Sequence, residues 1–180
     1  MIGNFIADQI KGNHFSHFSN KIQQGILLHR QIDTFTDSHE TVKKSKRRLH
    51  KRYRHYNGVI IDIFYDHFLA KNWETYTTVS LDTYVNNVYT LLKSNLDILP
   101  SKTQEMLPYM IQYNWLYNYQ YIKGIKEVLE GMNRRTKGKS KMNLAIEDLQ
   151  LHYFDFEQDF TSFFKDLQAF SNQKLKELGL

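Results

Sequence analysis

Asp8, His29, Asp33, Asp37, Asp62, Asp66 and His67 are the side chains of this sequence best suited to chemistry, and all fall in its first third plus a few residues. Two pairs, His29/Asp33 and Asp62/Asp66, are spaced i, i+4. On a helix that spacing stacks side chains on one face, with Cβ atoms about 5–6 Å apart. Two carboxylates that close repel each other, and His67 follows directly on Asp66. The second pair sits inside Gly58–Trp73, where Val59, Ile60, Ile61, Ile63, Phe64, Phe68 and Leu69 leave almost no polar face. A carboxylate buried there without a partner costs on the order of several kcal/mol, so it is protonated, paired with a cation or bound to a metal. Plainer roles stay open residue by residue: Asp37 as a helix N-cap, Asp62 bonded to a backbone or Arg partner, His67 as a satisfied core histidine. As a group, carboxylates and imidazoles from several helices can converge in a bundle core on one metal. Mixed nitrogen and oxygen ligands without thiolates suit Mn, Fe, Mg or Zn, and the excess of oxygen tilts the choice toward Mn or Mg.

The elements that must position these residues read as helices. With two prolines, eight glycines and no alternating Val/Ile/Thr runs, nothing patterns as a sheet, while apolar residues recur at three and four. The expectation is an all-α, single-domain helical bundle of about seven to eight helices. A first short helix runs from Gly3 to Lys11 and ends at Gly12-Asn13; Ser19 caps a second from Asn20. Asp37 with Glu40 has the form of a capping box before a basic helix that reaches about Arg54. The apolar Gly58–Trp73 helix follows, surrounded by protein on nearly all sides. Ser80 caps the next, which carries Tyr84, Val88, Leu91 and Leu92 and stops before Pro100. Two aromatic-rich helices occupy about 102–132. A last helix spans about 143–178, with Leu144, Leu151, Phe154, Phe160, Phe163, Phe164 and Leu167 packing back on the bundle.

The net charge of +5 is concentrated in Lys43–Arg54 and Arg134–Lys141. Such blocks are either solvated faces or attractors of something acidic: nucleic acid, anionic lipid or an acidic protein. A chain of 180 residues without cysteine has no disulfide framework, which fits a reducing compartment. With no apolar run of about 18 residues and no secretory leader, a cytoplasmic location is expected.

Three blocks resemble a known family. Gly3-Asn4-Phe5-Ile6-Ala7-Asp8, the stretch Gly25 to His39 containing His29-Arg30-Gln31-Ile32-Asp33, and Asp62-Ile63-Phe64-Tyr65-Asp66-His67 with Trp73 are similar to the acyl carrier protein phosphodiesterases. Trp115-Leu116, Tyr119, Gly131-Met132 and Arg134 are weaker landmarks in the second half. The resemblance implies an all-helical, HD-domain-like phosphohydrolase served by a divalent metal, usually manganese, with Mg2+ or Fe2+ as alternatives. It implies hydrolysis of the phosphodiester that joins 4′-phosphopantetheine to a serine of acyl carrier protein, a step in lipid metabolism tied to fatty acid biosynthesis. By matching positions, Asp8, His29, Asp33, Asp66 and His67 would touch or immediately surround the metal, although Asp66-His67 reverses the usual His-Asp order.

Around that ligand set, Asp37 or Asp62 would orient the attacking water or hold a second metal, and Arg30 would either clamp a phosphate oxygen or pair with Asp33 or Glu40. Lys43, Lys44, Arg47, Arg48 and Lys51 would dock the acidic carrier protein. The family carries a further N-terminal segment with a histidine before the Gly-Asn motif, which this sequence lacks, so a helix and a site residue are expected to be missing. Two rival readings are a phosphohydrolase acting on a nucleotide, and a non-enzymatic module binding nucleic acid through Lys43–Arg54.

Overall fold

In the computed structural model, which describes residues 1–179, every regular element is helical, in agreement with the all-α expectation. The α-helices are α1 (Ile2–Ile6), α2 (Asn20–Ser38), α3 (Glu40–Tyr53), α4 (Asn57–Lys71) and α5 (Leu81–Lys93), then α6 (Ser101–Gln112), α7 (Trp115–Asn118), α8 (Ile122–Arg135), α9 (Ala145–Leu151) and α10 (Tyr153–Leu178). Short 3-10 turns join several of them. No helix among the described residues is long and apolar enough to cross a membrane.

There are more helices than the periodicity predicts, because two long apolar stretches are interrupted. Asn114 adopts the left-handed conformation (φ 46°) and separates α6 from α7; His152 (φ −115°, ψ 28°) separates α9 from α10. The second interruption corrects the expected continuous helix over 143–178. It changes which side chains face inward: Leu149 and Phe156 are fully buried, whereas Leu151 and Phe154, expected in the core, are 75% and 84% exposed. Ser80 caps α5 as expected, its Oγ accepting from the Thr83 N–H at 3.2 Å.

Residue contacts gather into two compact units. The first comprises Met1–Ser38, Asn86–Tyr113 and the chain from Phe164 onward. Its organising contact is a backbone-to-backbone crossing of α1 on α2. A Cβ added at Gly3 would lie 2.1 Å from the Ile22 carbonyl oxygen, and one at Gly25 would lie 3.1 Å from the Gly3 Cα. Only glycine on both sides lets the helices approach that closely, and the approach seals Ile6 and Ile26 completely. Elsewhere in this unit Phe35 stacks on Phe170 at 4.4 Å, and the Gln9 amide donates to Thr103 Oγ1 at 2.6 Å.

The second unit comprises His39–Val85 and Asn114–Phe163. Its centre is α4, where Ile60, Ile61, Ile63, Phe64, Tyr65, His67, Phe68 and Ala70 are buried. Phe64 meets Phe156 edge-on at 5.2 Å, and Phe68 stacks on Phe160 at 6.0 Å. Each such buried side chain contributes about 1.5–3 kcal/mol, so α4 is held by packing and not by local propensity. The near-complete enclosure expected for α4 is corrected at one point: Val59, Asp62 and Asp66 are exposed. Their spacing of three and four puts them on one narrow face, which is where the helix keeps its charge. A second correction concerns the basic helix. The carboxylate of Asp159, only 2% exposed, accepts hydrogen bonds from Lys44 Nζ at 2.9 Å, Ser45 Oγ at 2.8 Å and the Arg48 guanidinium. Two of the five cations expected at a partner surface therefore serve a buried ion pair inside this unit.

Candidate functional site

His29 is the pivot of the first unit's polar chemistry. Its ring is mostly covered, with 19% of the side chain exposed, while the two carboxylates around it, Asp8 at 81% and Asp33 at 53%, remain open to solvent. Nδ1 lies 3.1 Å from Asn4 Oδ1, an oxygen that only accepts, so the Nδ1 proton points at Asn4. That leaves Nε2 directed at Asp8 Oδ1, 3.0 Å away, and at Asp33 Oδ2, 3.2 Å away. The helices explain the convergence. Asn4 and Asp8 are i, i+4 along the N-terminal segment that the Gly3–Gly25 crossing presses against α2, and His29 and Asp33 follow Gly25 at successive turns of α2.

An imidazole nitrogen and two carboxylate oxygens converging on one point call for a positive charge between them. Ligand atoms of Asp8, His29 and Asp33 all lie within 4.8 Å of one another, and among the described residues this is the one His/Asp/Glu group with that property. Partial burial pushes the Asp33 carboxyl up; His29 opposes this, and the like charges of Asp8 and Asp37 add to it. A divalent cation would relieve that repulsion, and a histidine whose remote nitrogen is held by an amide oxygen presents its other nitrogen in the required tautomer. The donor set fits a metal of the Mn, Mg or Fe kind.

Other expected site residues take different positions. Asp37 is not an N-cap: α2 runs unbroken to Ser38, so Asp37 lies in its last turn, one turn beyond Asp33. His39 caps α3 instead, its Nδ1 accepting from the Thr41 N–H at 3.3 Å, and Glu40 pairs with Lys43 at 2.9 Å in place of a capping box. Arg30 does not form the ion pair with Asp33 or Glu40. Its Nη2 donates to the carbonyls of Ile10 (2.9 Å) and Gly12 (2.6 Å), with the guanidinium over the Phe15 ring at 5.1 Å. Arg30 thus anchors the loop that follows Asp8. Gly12 makes that loop possible with φ 52°.

Asp62, Asp66 and His67 belong to the second unit. Asp66 keeps contact with solvent, but the protein mass around it, and then Asp62 one turn away, push its carboxyl up to about 7. His67 is 1% exposed and uses both ring nitrogens: Nδ1–H donates to the Tyr119 carbonyl at 2.8 Å, and Nε2 accepts from the Tyr153 hydroxyl at 2.7 Å. Burial lowers its pKa, with the Tyr119 carbonyl opposing. The expected ligand is here a satisfied core histidine, because the backbone carbonyl fixes one nitrogen as donor and the phenol fills the other. Asn4 and Tyr153 were not singled out from sequence. Asn4 had a usable signal, its i, i+4 spacing to Asp8; Tyr153 had none.

Of the five cations expected to bind a partner, Lys43 pairs with Glu40, and Lys44 and Arg48 hold Asp159. Arg47 and Lys51 are exposed and form no hydrogen bond or ion pair among the described residues.

Residues 1–167 match the family profile described as acyl carrier protein phosphodiesterase. A protein of that name from Photorhabdus laumondii is 32% identical over 165 residues, 91% of this chain and 83% of the relative. Namesakes from Yersinia enterocolitica and Pectobacterium atrosepticum are each 28% identical over 97% of this chain, covering 91% and 92% of their own lengths. No solved structure matches the chain.

Proposed function

Because the chain belongs to the acyl carrier protein phosphodiesterase family, we propose that it hydrolyses the phosphodiester between 4′-phosphopantetheine and the serine of holo acyl carrier protein. Water adds to phosphorus, the bond from phosphorus to the serine oxygen breaks, and that oxygen leaves with a proton as the hydroxyl of apo carrier. The observation that carries the reading is the convergence of Asp8, His29 and Asp33 inside the matched residues.

A divalent ion held by those three side chains, Mn2+ by preference with Mg2+ or Fe2+ as alternatives, would lower the pKa of bound water and neutralise charge on the phosphoryl oxygens. The chain's own residues prepare that site. Asn4 fixes the tautomer and tilt of His29. Arg30, by tying down Ile10 and Gly12, holds the segment that presents Asp8. Asp37, whose charge already reaches Asp33, is placed one turn further along α2 to accept a proton from water or to hold that water by hydrogen bond. A cytoplasmic setting agrees with the absence of cysteine.

The test incubates purified protein with Mn2+ and holo carrier protein and follows the carrier by mass spectrometry. Loss of the phosphopantetheine mass, abolished by chelator and by His29→Ala, is the expected outcome. Unchanged holo carrier alongside cleavage of a nucleotide phosphate would assign the site to the nucleotide-directed reaction instead.

A further inference from the structure

The second unit has a face that nothing in the hydrolytic chemistry uses. Four of the eight Lys and Arg side chains in the Lys43–Arg54 block are neutralised within the protein: Lys43 by Glu40, Lys44 and Arg48 by Asp159, and Arg52 by Asp148 at 3.0 Å and Glu147 at 3.4 Å. Arg47, Lys51 and Arg54 are different. All three are exposed and make no hydrogen bond or ion pair among the described residues, apart from a pull of the Arg47 charge on Glu40. Arg47 and Lys51 are i, i+4 on one face of α3, and Arg54 follows at its C-terminal end with φ 49°.

In the same unit, two apolar side chains are turned outward by the helix break at His152. Leu151 and Phe154 are 75% and 84% exposed, more than any other large apolar residue among those described. One exposed leucine is ordinary; a leucine and a phenylalanine three residues apart, both almost fully in solvent, form a patch that favours a partner. Side-chain bonds tie the helices that carry the two features. Arg52 and the Tyr53 hydroxyl bind Asp148, joining the end of α3 to α9, and Leu151 lies one helical turn beyond Asp148.

We infer that Arg47, Lys51 and Arg54, with Leu151 and Phe154, form the surface that docks the carrier protein. The inference rests on the proposed carrier substrate and adds the residues that recognise it. The occupant is an acidic segment of the carrier that also offers an apolar side chain. Unpaired cations steer and orient a negative partner, while the desolvated leucine and phenylalanine set how long it stays. A nucleic-acid partner is disfavoured by the same facts: four of the block's eight Lys and Arg side chains are already neutralised, and the exposed patch on Leu151 and Phe154 is aliphatic as well as aromatic.

The test measures anisotropy of dye-labelled holo carrier titrated with full-length protein at two ionic strengths, for wild type, Leu151→Ser/Phe154→Ser and Arg47→Glu/Lys51→Glu. Each double variant weakens binding by about tenfold or more, and the charge reversal also flattens the salt dependence. Melting temperature and circular dichroism stay at wild-type values, because all four side chains face solvent; Leu151→Ala serves as a milder second variant. Wild-type binding by both double variants overturns the docking surface while leaving the hydrolytic reading intact. Wild-type protein that neither binds nor cleaves carrier overturns that reading, and the docking surface with it. A labelled RNA or DNA duplex bound in place of carrier would also overturn it. So would a wild-type dimer that Leu151→Ser/Phe154→Ser converts to monomer in light scattering.

Discussion

Gly3→Ala tests the contact that assembles the candidate metal site without touching any residue of it. The added Cβ lies 2.1 Å from the Ile22 carbonyl oxygen, and ordinary contact begins at 3.4 Å, so α1 must retreat by about 1.3 Å. Both clashing groups are backbone, and no rotamer change relieves them. Overpacking of this kind costs about 1–3 kcal/mol, offset by up to about 1 kcal/mol from the better helix propensity of alanine. A net loss of about 1–2 kcal/mol lowers the melting temperature by about 2–8 °C for a chain this long. Asn4 and Asp8 move with α1. The His29 contacts at 3.1 and 3.0 Å then stretch beyond hydrogen-bonding range, and affinity for Mn2+ falls by about 10–100-fold. Gly131→Ala is the control: the nearest atom to its Cβ is the tip of Arg134 at 3.8 Å, so the same substitution in α8 gains stability. Calorimetric melts and Mn2+ titration by isothermal calorimetry read both quantities. If Gly3→Ala melts and binds metal like wild type, the crossing does not position the site and the argument fails.

Asn4→Leu removes the hydrogen bond to His29 Nδ1 at nearly constant volume; Mn2+ affinity falls by about 10–100-fold with little change in melting temperature, and unaltered affinity would show that Asn4 does not set the tautomer. His67→Asn leaves the Tyr119 carbonyl or the Tyr153 hydroxyl without its partner, so it destabilises by about 1–3 kcal/mol while the folded protein binds metal as before; metal loss from a stable variant would make His67 a ligand after all. The Asp159 carboxyl is raised by burial but held below its usual range on balance by Arg48, Lys44 and Ser45. Its ionised form therefore contributes stability above the unfolded carboxylate pKa of about 4, and that contribution is lost as pH falls through the lower folded value. Wild type should lose melting temperature between pH 5 and pH 3 (roughly that window) more steeply than Asp159→Asn, and parallel curves would contradict the sign.

Periodicity made the helices legible because each has an apolar face that must be buried, and Ser80 and Gly12 mark ends by chemistry that acts within a few residues. What it missed were breaks decided elsewhere in the chain. Nothing local in Leu151-His152-Tyr153 forbids a helix. The break follows from tertiary demands: Leu149 and Phe156 both enter the core, and Tyr153 reaches His67. The failed capping box at Asp37 has the same origin. Asp37 and Glu40 have the right spacing for one, but α2 continues to Ser38 and moves the cap to His39.

The site was half legible for a related reason. Hydrophobicity drew attention to Asp66 and His67, since charge in an apolar helix looks costly. In the structure Asp62 and Asp66 occupy the one exposed face of α4, where the surrounding protein still pushes the Asp66 carboxyl up to about 7, and His67 has both nitrogens paired. The group with an unmet electrostatic demand is Asp8, His29 and Asp33, on helices that a hydropathy argument would pass over. Its marks in the sequence are small residues: Gly3 and Gly25, which let two backbones touch, and Asn4, which turns the imidazole. A carboxylate is cheap at the surface, so its presence there carries little information. A mostly buried imidazole aimed at two of them carries more, because it gathers nitrogen and oxygen donors at one point where a cation would fit.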